Sequence, residues 1–175
     1  MSDTPPHRAL PSTVDARKLT GQGVRLAGVF AGSQLPRLAA AVTALPEPVS
    51  VELDFAMDEQ HQRVVTGQVS TVATVTCQRC LQDMEQPLQA QVNLGLVWSE
   101  EDAPHLNKDL EPWIVADEAA SLSGMVEDEL LLVLPYVSYH PLEQCPGEGS
   151  FSTGEVEQEE KPNPFQILEQ LKRKQ

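Results

Sequence analysis

Four residues in two short segments have the types and spacing of a metal site. Cys77 and Cys80 are separated by two residues, and thiolates at that spacing form a knuckle whose backbone bends around a tetrahedral ion. Cys145 is the third and last cysteine, and His140 lies five residues before it. Together the four residues would complete a Cys₃His zinc site. One Cys-x-x-Cys pair is only half of a site, so the alternative is that the three cysteines are ordinary thiols that bind no metal.

The sequence gives weaker support for other reactive sites. A redox-active Cys-x-x-Cys pair needs a helix N-terminus to lower a thiolate pKa, whereas this pair follows a strand-like run rich in Val and Thr. Residues 127–129 are three consecutive acidic residues on a predicted helix. Consecutive side chains on a helix point in different directions, so we interpret these three as a solvated face rather than a site. No Ser/His/Asp grouping and no glycine-rich phosphate loop is present. The sequence therefore favours a protein that is not an enzyme.

Charge and composition narrow the class of partner. The chain has 175 residues, with 26 acidic and 12 basic side chains and a net charge of −14. Phosphate and lipid-headgroup binding both need a basic surface, so a basic protein is the natural partner. The cysteine count is odd, no apolar run reaches membrane-spanning length, and the N-terminus has no signal-peptide core. We expect a cytoplasmic protein that does not bind membranes.

The elements that must position the cysteines are mainly strands. The sequence predicts strands at residues 23–30, 49–57, 63–76, 88–98 and 113–115. The second, third and fourth alternate apolar and polar residues, which predicts an antiparallel meander with one buried face. Cys77 and Cys80 then lie at the hairpin tip between two long strands. Gly67, inside the third predicted strand, is interpreted as a bulge.

Two helices are predicted to pack on this sheet. The first spans residues 33–45, with Ser33 as N-cap, and ends at Pro46. The second starts after Asp117 or Ser121 and runs to Leu134, with its apolar end, residues 130–134, deeply buried. The fold class is therefore α+β: an antiparallel sheet of four to six strands, two packed helices and a tethered C-terminal helix. The long middle strand could curl the sheet toward a partly open, barrel-like form.

The composition changes after Cys145. Residues 147–160 contain five acidic residues and no base, which is typical of a disordered linker. In residues 161–175, Asn163 followed by Pro164 predicts a helix start, and four bases against one acid give a net +3, leaving −17 on the rest of the chain. The predicted organisation is a flexible N-terminus (1–12), a globular domain (13–146), the linker (147–160) and a basic amphipathic segment (161–175). The candidate partner-binding residues are Pro162, Asn163, Pro164, Phe165, Leu168, Leu171, Lys172, Arg173 and Lys174.

Three motifs in order make the sequence recognisable. They are the cysteine pair at residues 76–80, the run MVEDELLLVLP at residues 125–135, and KPNPFQIL at residues 161–168 with its basic end. In this order and spacing they resemble the bacterial YceD family, the large ribosomal RNA subunit accumulation proteins. The resemblance extends from about residue 10 to the C-terminus.

The resemblance implies a non-enzymatic factor that supports 23S rRNA accumulation or processing and large-subunit assembly. It also implies zinc, because other members carry the Cys-x-x-Cys pair and a cysteine-rich second segment; here that segment has one cysteine, so His140 would substitute. The implied partners are large-subunit precursor particles or a basic ribosomal protein, with RNA contact limited to the basic tail. Two alternatives remain: a metal-dependent enzyme that processes nucleic acid, and an acidic chaperone for a basic ribosomal protein.

Overall fold

The computed structural model describes residues 8–117 and 119–146. Its strands are β1 (Thr13–Val14), β2 (Arg25–Phe30), β3 (Val49–Met57), β4 (Arg63–Thr76), β5 (Asp83–Val97), β6 (Glu111–Ile114) and β7 (Ala120–Ser121). Its α-helices are α1 (Ala16–Gln22), α2 (Pro36–Ala41) and α3 (Leu122–Val133), and short 3₁₀ turns span Gly32–Gln34, Glu100–His105 and Leu142–Gln144. The predicted α+β class is confirmed.

Within the described part of the chain, the main sheet has five strands in the order β2-β3-β4-β5-β6. The first four pair antiparallel with their neighbours along the chain, as the alternating pattern predicts. The fifth, β6, joins parallel to the end of β5. The sheet is open rather than closed, with β2 and β6 at its edges, while β1 and β7 form a separate two-stranded sheet.

The core lies on one face of the main sheet. The alternate side chains of β3, from Val49 to Phe55, are almost completely buried, because a strand turns successive residues to opposite faces. Helix α1 packs on β3 and β4, and α3 packs on β5. The α3 side chains facing the sheet are Leu122, Met125, Val126 and Leu130.

Two strand predictions need correction. β5 begins at Asp83 rather than at residue 88, and Pro87 lies inside the strand, opposite Val72. β6 pairs only with residues 94–97 at the far end of β5. Among the described residues no strand pairs with β5 on that side of Pro87, so its missing N–H costs no ladder bond there. Gly67 is not a bulge, since the register runs unbroken through it on both sides. Its φ is +149°, and a Cβ there would lie 2.1 Å from the carbonyl oxygen of Glu52.

Two helix predictions are also wrong in part. Ser33 does not cap α2; it lies in the preceding 3₁₀ turn, and α2 spans only Pro36–Ala41. The expected deep burial of residues 130–134 fails because α3 presents one face to the sheet and the other to solvent, leaving Leu132 73% exposed. Ser121 is confirmed as the N-cap of α3, and its hydroxyl accepts a hydrogen bond from the Gly124 N–H at 3.1 Å.

The predicted division of the chain stays a prediction, because residues 147–175 lie outside the described part, as does the predicted C-terminal helix. Within the predicted N-terminal tail, Arg8 and Leu10 hydrogen-bond through their backbones to Val29 of β2. Among the described residues, no helix is both long enough and apolar enough to cross a membrane.

Candidate metal centre

The hairpin between β4 and β5 holds Cys77 and Cys80 at its tip. The chain closes tightly there, since Leu81 N–H donates to the carbonyl of Cys77 and Cys77 N–H donates to the carbonyl of Gln82, both at 2.9 Å. Leu81 takes a left-handed conformation, with φ +60°, which side-chain-bearing residues rarely adopt. This turn directs both sulfur atoms to the same side of the tip, as a metal knuckle requires.

The segment after α3 crosses the hairpin tip and contains the other two candidate ligands. Gln78 N–H donates to the carbonyl of Ser138 at 2.9 Å, and His140 N–H donates to the Cys77 sulfur at 3.4 Å. The guanidinium of Arg79 lies 5.3 Å from the ring centroid of Tyr139, a cation–π distance that adds to the attachment. His140 and Cys145 are thereby brought to the cysteine pair from a distant part of the sequence.

The four candidate ligands converge. One nitrogen or sulfur atom from each of Cys77, Cys80, His140 and Cys145 lies within 4.8 Å of all the others. The Cys80 sulfur is 3.3 Å from Nδ1 of His140, and Cys77 and Cys145 are buried. Zinc bonds of about 2.0–2.3 Å space tetrahedral ligands by roughly 3.3–3.8 Å. The donor set therefore fits a zinc ion, and ligands up to 4.8 Å apart would move closer together on binding it.

The surroundings favour a charged ligand at Cys77. Burial alone would raise the pKa of its thiol, but the backbone N–H groups of Cys80, His140 and Arg79, with the His140 side chain, lower the pKa to about 5. Burial and the neighbouring sulfurs of Cys77 and Cys145 raise the pKa of Cys80. These hydrogen bonds favour the thiolate form of Cys77, which is the form that binds a metal.

Comparison with known proteins identifies the chain. The family profile described as "Large ribosomal RNA subunit accumulation protein YceD" matches residues 65–172. The chain is also 35% identical to the large ribosomal RNA subunit accumulation protein YceD of Haemophilus influenzae, over 94% of this chain and 97% of that protein. The chain belongs to the YceD family. No solved structure matches it.

In this YceD family member, the structure also reveals a polar site that the sequence analysis missed. The sequence predicts a solvated face at residues 127–129, but Glu127 is buried, with 4% of its surface exposed. Its carboxylate accepts hydrogen bonds from the backbone N–H groups of Arg37 and Leu38, at the first turn of α2, and from Nε of Arg37 at 3.1 Å. Asp128 is exposed, as predicted, and pairs with the same guanidinium at 2.7 Å.

Glu127 takes the place of a local N-cap. The first backbone N–H groups of a helix have no partner within it, and the residue before α2, Leu35, has no side chain able to accept them. The sequence predicts Ser33 as the cap of this helix, so it carries no local signal that the acceptor comes from elsewhere.

The candidate partner-binding residues of the tail lie outside the described part of the chain. They are Pro162, Asn163, Pro164, Phe165, Leu168, Leu171, Lys172, Arg173 and Lys174. Their role stays a prediction from the sequence.

Proposed function

We propose that the protein is a cytoplasmic, non-enzymatic factor that supports 23S rRNA accumulation and large-subunit assembly by binding. The observation that carries the proposal is family membership, since the H. influenzae relative is named for large ribosomal RNA subunit accumulation and aligns with 94% of this chain. That alignment covers 97% of the relative's length as well, which supports extending the role in its name to the whole chain.

The metal centre supports binding rather than catalysis. Catalytic zinc sites keep one position open for water, whereas four protein ligands close a tetrahedral site. The cluster here offers three sulfurs and one nitrogen. Zinc held by Cys77, Cys80, His140 and Cys145 would cross-link the hairpin tip to the segment after α3. This disfavours the alternative of a metal-dependent processing enzyme.

Zinc is tested by measuring the metal content of the purified full-length protein. We expect one zinc per chain, and a cobalt-substituted form with thiolate charge-transfer absorption. Cys80→Ser and His140→Gln should lose the metal. His105→Gln, which changes a histidine in a 3₁₀ turn outside the cluster, should keep it. Zinc retained in full by His140→Gln, or absent from the unaltered protein, would contradict the site.

The charge distribution supports different binding partners for the body of the chain and for its C-terminal segment. The sequence carries −17 outside residues 161–175 and +3 within them. An acidic surface cannot hold RNA unaided, because it does not release counterions from phosphates. We infer that the acidic body binds a basic ribosomal protein while the basic tail contacts RNA.

The ribosomal role is tested by gradient sedimentation of lysate, probing this protein together with precursor 23S rRNA. Co-migration with immature large-subunit particles is expected for the full chain and should be lost on deleting residues 161–175. A second variant, with Lys172, Arg173 and Lys174 changed to Gln, keeps the length and isolates the charge. Unchanged co-migration of the deletion would overturn the tail's role. A free-fraction complex with one basic ribosomal protein would favour the chaperone alternative.

A further inference from the structure

The three sulfur atoms at the hairpin tip lie close enough to react with one another. Those of Cys77, Cys80 and Cys145 are within 4.8 Å of each other, and all three cysteines are free thiols. They are also all the cysteines in the chain, so no thiol elsewhere in the sequence can compete for pairing. Because a disulfide needs a Cβ–Cβ distance of about 3.5–4.5 Å, small side-chain shifts would allow one to form.

The three thiols differ in exposure. Cys80 is half-buried, whereas Cys77 and Cys145 are buried, with 0% and 5% of their surfaces exposed. A small oxidant in solution therefore reaches the Cys80 sulfur first. The hydrogen bonds around Cys77 favour its thiolate, but that sulfur is shielded from solvent. Exposure, rather than acidity, selects the thiol that meets the oxidant.

Cys77 is the partner that the fold holds beside Cys80. Both belong to the same closed turn, which two backbone hydrogen bonds of 2.9 Å, from Leu81 to Cys77 and from Cys77 to Gln82, keep in place. Cys145 comes from a separate segment and follows a 3₁₀ turn whose closing backbone bond to Leu142 is long, at 3.4 Å. The short turn therefore makes Cys77 the sulfur that Cys80 meets most often.

We propose that Cys77 and Cys80 form a dithiol that hydrogen peroxide converts into a disulfide. The Cys80 thiolate attacks a peroxide oxygen: an S–O bond forms, the O–O bond breaks and hydroxide leaves, which gives a sulfenic acid. The Cys77 thiolate attacks the Cys80 sulfur: the S–S bond forms, the S–O bond breaks and a second hydroxide leaves. The hydroxides take up the two protons lost by the thiols. Two thiols thus lose two electrons, and one peroxide becomes two waters.

The disulfide would change what the hairpin tip can hold. It uses two of the four candidate ligands, and the remaining pair, His140 and Cys145, cannot complete a tetrahedral zinc site. Zinc release on oxidation is the consequence, and this part of the inference rests on the proposed zinc site. The disulfide itself does not, because it depends only on the positions of the sulfurs.

The test treats the reduced full-length protein, metal-free and zinc-loaded, with hydrogen peroxide, then blocks the remaining thiols and digests with trypsin. The three cysteines fall in three different peptides, since Arg79 separates the first two and Lys108 precedes the third. Mass spectrometry should find the peptides of Cys77 and Cys80 joined, with the loss of two hydrogens, and dithiothreitol should separate them. In the zinc-loaded sample, a zinc-sensitive dye should report release in proportion to the disulfide formed.

Variants identify the partners. Cys145→Ser should form the same joined peptides, whereas Cys80→Ser should form no disulfide. In Cys77→Ser, the sulfenic acid at Cys80 should persist and be labelled by dimedone. Circular dichroism of each variant checks that it is folded, and the peptide map of the unaltered protein does not depend on them.

The outcomes separate this inference from the zinc site. A protein that binds no zinc but joins Cys77 to Cys80 would contradict the metal site alone. Thiols that stay reduced in peroxide, in both the metal-free and the zinc-loaded protein, would overturn the dithiol. A map in which Cys145 is the main partner of Cys80 would also overturn it.

Discussion

At the scale of single residues, the carboxylates of α3 show how burial divides the roles of adjacent side chains. Glu127 and Asp128 both pair with Arg37, but the Glu127 side chain is 5% exposed and that of Asp128 is 61% exposed. The charge of Glu127 also satisfies two backbone N–H groups of α2. Its importance therefore lies in the helix start that it completes.

Glu127→Ala is predicted to lower the free energy of unfolding by about 2–3 kcal/mol, because it leaves a buried N–H of Leu38 without a partner. Asp128→Ala removes an exposed ion pair to the same arginine and should cost much less. Denaturant unfolding of both variants measures the difference. Equal losses would mean that the pairing with Arg37, not the capping, carries the effect.

Glu129 gives a pH-dependent prediction. Burial, with the nearby charges of Glu111 and Asp128, raises its pKa. A raised carboxyl pKa means that folding favours the protonated form, so the charged form is destabilising above that pKa and the penalty vanishes as pH falls through it. Glu129→Gln should therefore raise the melting temperature at neutral pH and have little effect in acid. An increase that persists unchanged in acid would contradict this cause.

At the scale of elements, the sheet depends on one close approach between β3 and β4. Gly67→Ala should destabilise the protein by about 3 kcal/mol, because the added Cβ meets the Glu52 carbonyl and the residue must keep a positive φ. Gly21→Ala is the control: it lies in α1 with its nearest neighbouring atom at 3.7 Å, and alanine favours a helix. Thermal unfolding compares the two, and a neutral Gly67→Ala would contradict the steric argument.

The same elements show how far the sequence predicts the fold. Alternation in β3, β4 and β5 predicts the meander, because one face of each strand is buried. The parallel pairing of β6 has no local signal, since it depends on tertiary contacts with β5. The Cys-x-x-Cys pair is visible as a motif, and His140 and Cys145 follow from counting ligands. Glu127 is not predictable in this way, because its partners are 90 residues away at Arg37 and 89 at Leu38.

At the scale of the whole molecule, the candidate metal centre lies where two regions distant in sequence meet. Residues 134–146 contain only a 3₁₀ turn. The Gln78–Ser138 and His140–Cys77 hydrogen bonds and the Arg79–Tyr139 contact join them to the hairpin tip, and zinc on the four candidate ligands would add to this attachment. Because a metal bound only in the folded state stabilises that state, chelation should loosen this segment before the sheet.

Hydrogen exchange checks this expectation. With a chelator present, the amides of Gln78 and His140 should lose protection, while amides in the centre of the β3–β4 pairing, such as Val51, keep theirs. Adding back zinc should restore protection at both sites. Equal protection with and without the chelator would show that the packing of the segment does not depend on a metal.

The positions of the four candidate ligands along the chain set the order in which they are synthesised. Cys80 and Cys145 are 65 residues apart, which a ribosome adding about 5–20 residues per second needs roughly 3–13 s to translate. During that interval the nascent chain carries the first two thiols without the other two ligands. If the four residues bind zinc, the hairpin tip would therefore be the first part of the site to meet a metal ion or an oxidant, and the site would close only when translation has passed Cys145.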